Sequence, residues 1–146
     1  MSEKKEDYRL AAIMFTDIYG FSRMMEKNER KMLALLNEHN SIIEKLVKLH
    51  NGHVIKTIGD AYLVDFNNTV HAVQCGVEIQ KALNDFNKSR AFEERLFLRI
   101  GVHLGDIWFF ENDALGEGIN IASRLQGLAR PGRIVISNDV YNLVFN

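Results

Sequence analysis

The chain has 146 residues, about one domain, with 47% hydrophobic and 25% charged residues, which are ordinary globular values. A formal net charge of −1 leaves no excess of Lys and Arg for a nucleic acid or a membrane surface, although a small anionic ligand needs only a few local charges. The lone cysteine, Cys75, excludes an intramolecular disulfide and a cysteine-built zinc site, and no apolar run approaches the roughly 18 residues of a membrane span.

Residues 1–9 read as a charged connector with no secretory apolar region, and residues 10–146 as a single domain. Leu10 to Phe15 (LAAIMF) is a continuous apolar run that suits a strand buried on both faces, ending in Thr16-Asp17. Gly20 then breaks the run, and Ser22 is a candidate cap for a short helix. From Asn28 to His50 apolar residues recur at helical spacing (Met32, Leu35, Leu36, Ile42, Ile43, Leu46, Val47, Leu49), and Asn51-Gly52 supplies the stop. His39 and His50 read as surface residues of that helix. His53–Ile58 and Ala61–Phe66 form two β-type runs about Gly59-Asp60, hence a hairpin.

A second helix is expected from Thr69 to Asn87, burying Val70, Val73, Val77, Ile79, Leu83 and Phe86, with Cys75 in the core. The charged linker KSRAFEE precedes a strand from Leu96 to Leu104, and after Gly105-Asp106 come a separate short strand, IWFF, and a polar turn, END. Glu117–Leu128 fits a third helix stopped by Pro131-Gly132, Arg133–Ile136 a last strand, and Ser137 caps a final helical stretch, NDVYNLV. The order predicts an α+β sandwich of ferredoxin-like βαββαβ type, one sheet covered on one face by helices.

Three stretches have side chains suited to chemistry. Asp17, at the rim of an apolar strand in FTDIYGFS (15–22), serves equally well as an oxygen ligand for Mg²⁺ or as a cap for the following turn. In KTIGDAYLVDF (56–66), Asp60 in the bend is a second carboxylate able to chelate metal with Asp17. The competing readings there are a simple Asp turn and, for Lys56, a side chain snorkelling to solvent. In DALGEGINIASRL (113–125), Asn120 and Arg124 are spaced i, i+4 and share one helix face. Arg is suited to phosphate and Asn to a ribose or base, though a lone helical Arg more often makes a surface salt bridge. Phosphate-loop, dinucleotide-binding and serine-hydrolase motifs are absent from the sequence.

Together FTDIYGFS, KTIGDAYLVDF, RIGVHLGD (99–106), GEGINIASRL (116–125) and ARPGRIVIS (129–137) resemble the class III nucleotidyl cyclases, the adenylyl and guanylyl cyclase catalytic domain, in order and over nearly the whole chain. The resemblance implies two Mg²⁺ or Mn²⁺ ions per site, held by Asp17, Asp60 and the carbonyl of Ile18. It further implies that Lys56 and Asp113 read adenine, and that Asn120 and Arg124 act on the ribose and the transition-state phosphates. Asp113 is aligned by its distance to Gly116 and Asn120. The implied activity is conversion of ATP to 3′,5′-cyclic AMP and pyrophosphate in a head-to-tail homodimer with shared sites. No nucleic-acid partner is expected, and a sensor or regulatory domain is expected upstream. The family's hairpin arm is longer in the animal enzymes, and the family continues beyond the position of Asn146, so the domain is expected to be short at its C-terminus. The expected location is cytoplasmic, with a parent protein free to be membrane-anchored.

The alternatives are a catalytically silent cyclase-homology domain that binds nucleotide or dimerises, and a guanylyl cyclase. A diguanylate-cyclase-like enzyme is disfavoured because the hairpin reads IGDAY and no G-G-[DE]-[DE]-F occurs.

Overall fold

The run that starts at Leu10 is part of a longer strand. In the computed structural model, which describes residues 7–145, β1 spans Asp7–Ile18, three residues earlier than expected. The rest of the connector, residues 1–6, and Asn146 lie outside the described residues. Side chains alternate across β1: Ala12, Met14 and Ile18 enter one core, Ala11 and Ile13 another. The strand is therefore buried on both faces, as its unbroken apolar sequence requires.

Two helices follow, α1 (Phe21–Lys27) and α2 (Glu29–Leu49). Ser22 lies inside α1 rather than capping it; Gly20, with φ of 74°, holds the cap position without a side-chain bond. Asn28 caps α2 by accepting from the Lys31 N–H at 3.1 Å. The buried stripe of α2 is Met32, Leu35, His39, Ile43 and Val47, so His39 is a core residue and Leu49, 65% exposed, is not. Position 39 falls between 35 and 43 at helical spacing, and its apolar neighbours carry it inward. Burial lowers the His39 pKa, and its Nδ1 pairs with Asn40 Oδ1 at 2.8 Å.

The hairpin β2 (Gly52–Ile58) and β3 (Ala61–Phe66) turns through Gly59, whose φ of 63° favours glycine, and Asp60. α3 (Thr69–Lys88) turns Ala72, Cys75, Gly76, Ile79 and Leu83 inward, leaving Val70 and Val77 each 39% exposed instead of buried. Small residues face the sheet because the approach is tight: a Cβ at Gly76 would meet Ile134 Cδ1 at 3.2 Å. Cys75 is fully buried, which pushes its thiol up to about 12.

The next two expected strands are one, β4 (Leu98–Phe110), running unbroken through Gly105-Asp106 because β1 pairs with it from Leu98 to Phe109. It turns at Glu111-Asn112 into β5 (Asp113–Leu115), and α4 (Glu117–Leu128), β6 (Arg133–Ile136) and α5 (Asn138–Val144) complete the described chain. Ser137 caps α5 through the Val140 N–H. The sheet order is β2-β3-β1-β4-β5, with β6 pairing parallel to β4; β2-β3-β1-β4 is the expected ferredoxin-like core in antiparallel pairing.

Helices do not cover one face only. α2 and α3 cover the first core, whereas α4 crosses the opposite face, its Ala122 among Ala11, Ile13 and Leu63. Gly101 on β4 makes the crossing possible, since a Cβ there would collide with the Gln126 backbone N and lie 2.6 Å from the Ala122 carbonyl oxygen. Gly101→Ala is expected to lower stability by about 3 kcal/mol, and hence the melting temperature by about 6–12 °C. Gly127→Ala, with open space around it, is expected to raise stability by up to about 1 kcal/mol. Thermal unfolding followed by circular dichroism checks both. Among the described residues no helix is long and apolar enough to cross a membrane.

Candidate active site

β1 and the hairpin turn converge because β3 pairs with β1, Tyr62 opposite Thr16, which carries the turn to the end of β1. Asp60 Oδ2 accepts a hydrogen bond from the Ile18 N–H at 2.6 Å, tying the turn to the residue after Asp17. Burial holds the Asp60 carboxyl above its ordinary pKa, and the charge of Asp17 adds to this. The Ile18 N–H, its own backbone N–H and Arg99 oppose the rise.

Arg99 was not singled out by sequence reasoning. It stands opposite Asp17 in the β1–β4 ladder and grips both carboxylate oxygens, Nε to Oδ1 at 3.0 Å and Nη2 to Oδ2 at 2.7 Å. The Asp17 hydrogen bonds raise the Arg99 pKa, against a smaller effect of desolvation. An Arg within the mostly apolar LFLRIGVHL was the signal available for it.

Asp17, Asp60 and the Ile18 backbone thus meet at one corner of the sheet. Two carboxylates at one corner form an oxygen donor set suited to a hard divalent ion, whose charge would favour the ionised form of both. Among the described residues no three His, Cys, Asp or Glu side chains group closely enough to hold a metal by themselves. A pair of carboxylates supplemented by substrate phosphate oxygens is the arrangement Mg²⁺ ordinarily uses.

The second group lies on the same face of the sheet as α4. A bulge in β2 between Val54 and Lys56 interrupts the alternation: Val54 packs on the first core, Ile55 enters the second, and Lys56 stands opposite Leu63, which also faces the second. Lys56 Nζ is thereby brought within 2.9 Å of Asp113 Oδ1 on β5, instead of snorkelling free. The hydrogen bond from Lys56 is the main cause lowering the Asp113 pKa, with a further bond from the Ala114 N–H at 2.7 Å.

Asn120 and Arg124 project from α4 on the side away from the sheet, which takes Gly118, Ala122 and Gln126. Both are exposed, and among the described residues neither side chain makes a hydrogen bond or ion pair, so the surface salt bridge weighed for Arg124 does not form. The chain therefore presents three separate groups: Asp17, Asp60 and Arg99; Lys56 and Asp113; Asn120 and Arg124. No hydrogen bond or ion pair among the described residues joins one group to another.

Comparison with known proteins gives a consistent picture. Residues 3–145 match the family model of the adenylate and guanylate cyclase catalytic domain. The Rhizobium meliloti (strain 1021) protein named "Putative adenylate cyclase 3" is 38% identical over 145 residues, covering 99% of this chain and 25% of that protein. Guanylate cyclase 2G of Rattus norvegicus is 29% identical over 152 residues, covering 93% of this chain and 14% of that one. The crystal structure of an adenylate/guanylate cyclase/hydrolase from Silicibacter pomeroyi superposes with a TM-score of 0.88 at 33% identity, over 95% of this chain and 81% of that chain. The chain thus spans a quarter or less of the length of the two curated relatives named here.

Proposed function

The chain belongs to the adenylate and guanylate cyclase catalytic domain family, and on that premise we propose that it is an adenylyl cyclase, converting ATP to 3′,5′-cyclic AMP and pyrophosphate. The observation that carries the choice of base is the Lys56–Asp113 pair at 2.9 Å. An ammonium and a carboxylate side by side complement the ring-nitrogen acceptor and exocyclic amine donor of adenine, whereas guanine reverses part of that pattern.

In this reading Asp17, Asp60 and the Ile18 carbonyl hold two Mg²⁺ or Mn²⁺ ions. When bound, the ions supply Lewis-acid activation of the ribose 3′ hydroxyl and neutralisation of the triphosphate. Arg99, held beside these ligands by Asp17, stands where its guanidinium would meet a phosphate. Asn120 orients the ribose, and Arg124 stabilises the charge that grows on the transferring phosphate, a contribution typically worth 10²-fold or more. The outward, unpartnered direction of Asn120 and Arg124 on α4 favours a homodimer in which each chain completes its partner's site. The protein as a whole is read as cytoplasmic, under an upstream sensor or regulatory domain.

The test is incubation with ATP or GTP and Mn²⁺ or Mg²⁺, with cyclic nucleotide measured. Cyclic AMP is expected to form at least about tenfold faster than cyclic GMP. No product from either nucleotide at high protein concentration overturns the enzyme reading, and preferential cyclic GMP overturns the choice of base.

A further inference from the structure

We propose that the cleft between α1, the start of α2 and the segment leading into β4 binds a small organic anion with an apolar body, beside the metal-binding end of β1. The cleft encloses about 470 Å³, within the roughly 300–1,000 Å³ of sites for small organic ligands. Its floor is Met32 and Leu35, both buried on α2, together with Phe97. Phe92 stands at the mouth, 74% exposed, with its ring centroid 6.4 Å from that of Phe97. An apolar occupant covering these rings removes apolar surface from water, which favours binding.

The rim sets the charge of the ligand. Arg23 and Lys27 lie one turn apart on α1, and among the described residues neither is hydrogen-bonded or ion-paired. Lys31, in contrast, is tied to Glu94 at 2.9 Å, and Arg95 Nε donates to the Arg90 carbonyl at 3.0 Å. Set against the exposed carboxylate of Glu93 at the same rim, which has no partner among the described residues, these two uncommitted cations leave a net positive charge over an apolar floor. That complements one anionic head, a carboxylate or sulfonate, on an aromatic or aliphatic body. A floor three side chains across is too short for the i, i+4, i+7 anchors of a docked helix.

Tyr19 joins this cleft to the site described above. It lines the cleft, its N–H bonds the Phe97 carbonyl at 2.8 Å, and the Arg99 guanidinium lies 5.8 Å from its ring centroid. A ligand in contact with Tyr19 and Phe97 therefore bears on the segment that immediately follows Asp17 and Ile18.

Binding is tested on the whole chain with 8-anilinonaphthalene-1-sulfonate, by fluorescence titration and by amide shifts in two-dimensional NMR. The readout is occupancy rather than turnover, so failure here leaves the cyclase reading standing, and the reverse also holds. Saturable binding is expected, with shifts centred on Tyr19, Met32 and Phe97 and extending to Ile18. Arg23→Glu with Lys27→Glu is expected to weaken binding at least about tenfold. Lys45→Glu with Lys48→Glu makes the same change in net charge at exposed positions of α2 outside the cleft, and is expected to change affinity by less than about twofold. Equal weakening by both double variants, or shifts centred on Tyr8 and Trp108, overturns the site. Shifts in the cleft with none at Ile18 overturn its link to the strand end.

Discussion

An Asp17→Ala chain and an Arg124→Ala chain, each expected to lose at least about 10²-fold in cyclase activity, are expected to recover activity when mixed. In equal amounts and with free exchange, half the dimers are mixed. In each mixed dimer one site combines two mutated residues and the other combines two native ones. Recovery to about a quarter of the native rate per chain follows from a symmetric dimer with shared sites. Sites completed within one chain predict no recovery at all. The measurement is product formation against mixing ratio, with dimers verified by sedimentation; failure to complement in verified mixed dimers rejects shared sites.

The geometry behind that expectation is the separation of the groups. Asp17 is gripped by Arg99 across the β1–β4 ladder. Arg124 points away from the sheet on an α4 whose inner side, Gly118, Ala122 and Gln126, is filled. Turning Arg124 inward would require α4 to rotate, and the backbone contact over Gly101 leaves it no room. On the proposed reading, a second copy of the chain supplies the other half of each site.

How far the sequence disclosed this arrangement depends on the range of the interaction involved. Asp17 and Asp60 were legible because each is set by its immediate neighbours: one ends an apolar strand, the other sits in a Gly-Asp turn. Arg99 was not, because its partner is 82 residues distant and only the register of two paired strands reveals it. The residues around Lys56 leave snorkelling and ligand binding both open, and only the family resemblance puts it with Asp113, because the bulge between Val54 and Lys56 that brings it there has no local marker. The face chosen by α4 was hidden for a similar reason, since Gly101 reads as a weak strand residue until a helix backbone lies on it. His39 illustrates the opposite failure: its polarity was allowed to outweigh its place between Leu35 and Ile43 on the buried stripe. The expected βαββαβ order emerged intact because strand and helix periodicity are local, and handedness and short connections then leave few ways to arrange the elements.

Lys56→Glu combined with Asp113→Cys is expected to lower the ratio of ATP to GTP turnover at least about a hundredfold. The two must be changed together, because each now partners the other at 2.9 Å. Lys56→Ala alone removes the main cause of the depressed Asp113 pKa, letting that pKa rise toward its ordinary value. An ordinary aspartate is still ionised at neutral pH, so its carboxylate continues to accept from the adenine amine and the single variant weakens ATP without admitting guanine. The paired change installs an acceptor for the guanine ring N–H and exocyclic amine at position 56. It also withdraws, at position 113, the carboxylate that would repel the guanine carbonyl oxygen. Competition between ATP and GTP in one reaction, with both cyclic products quantified, reads the ratio directly. Loss of turnover with both nucleotides at an unchanged ratio would show that Asp113 supports Lys56 without touching the base, and the base would then be read by Lys56 with some other residue.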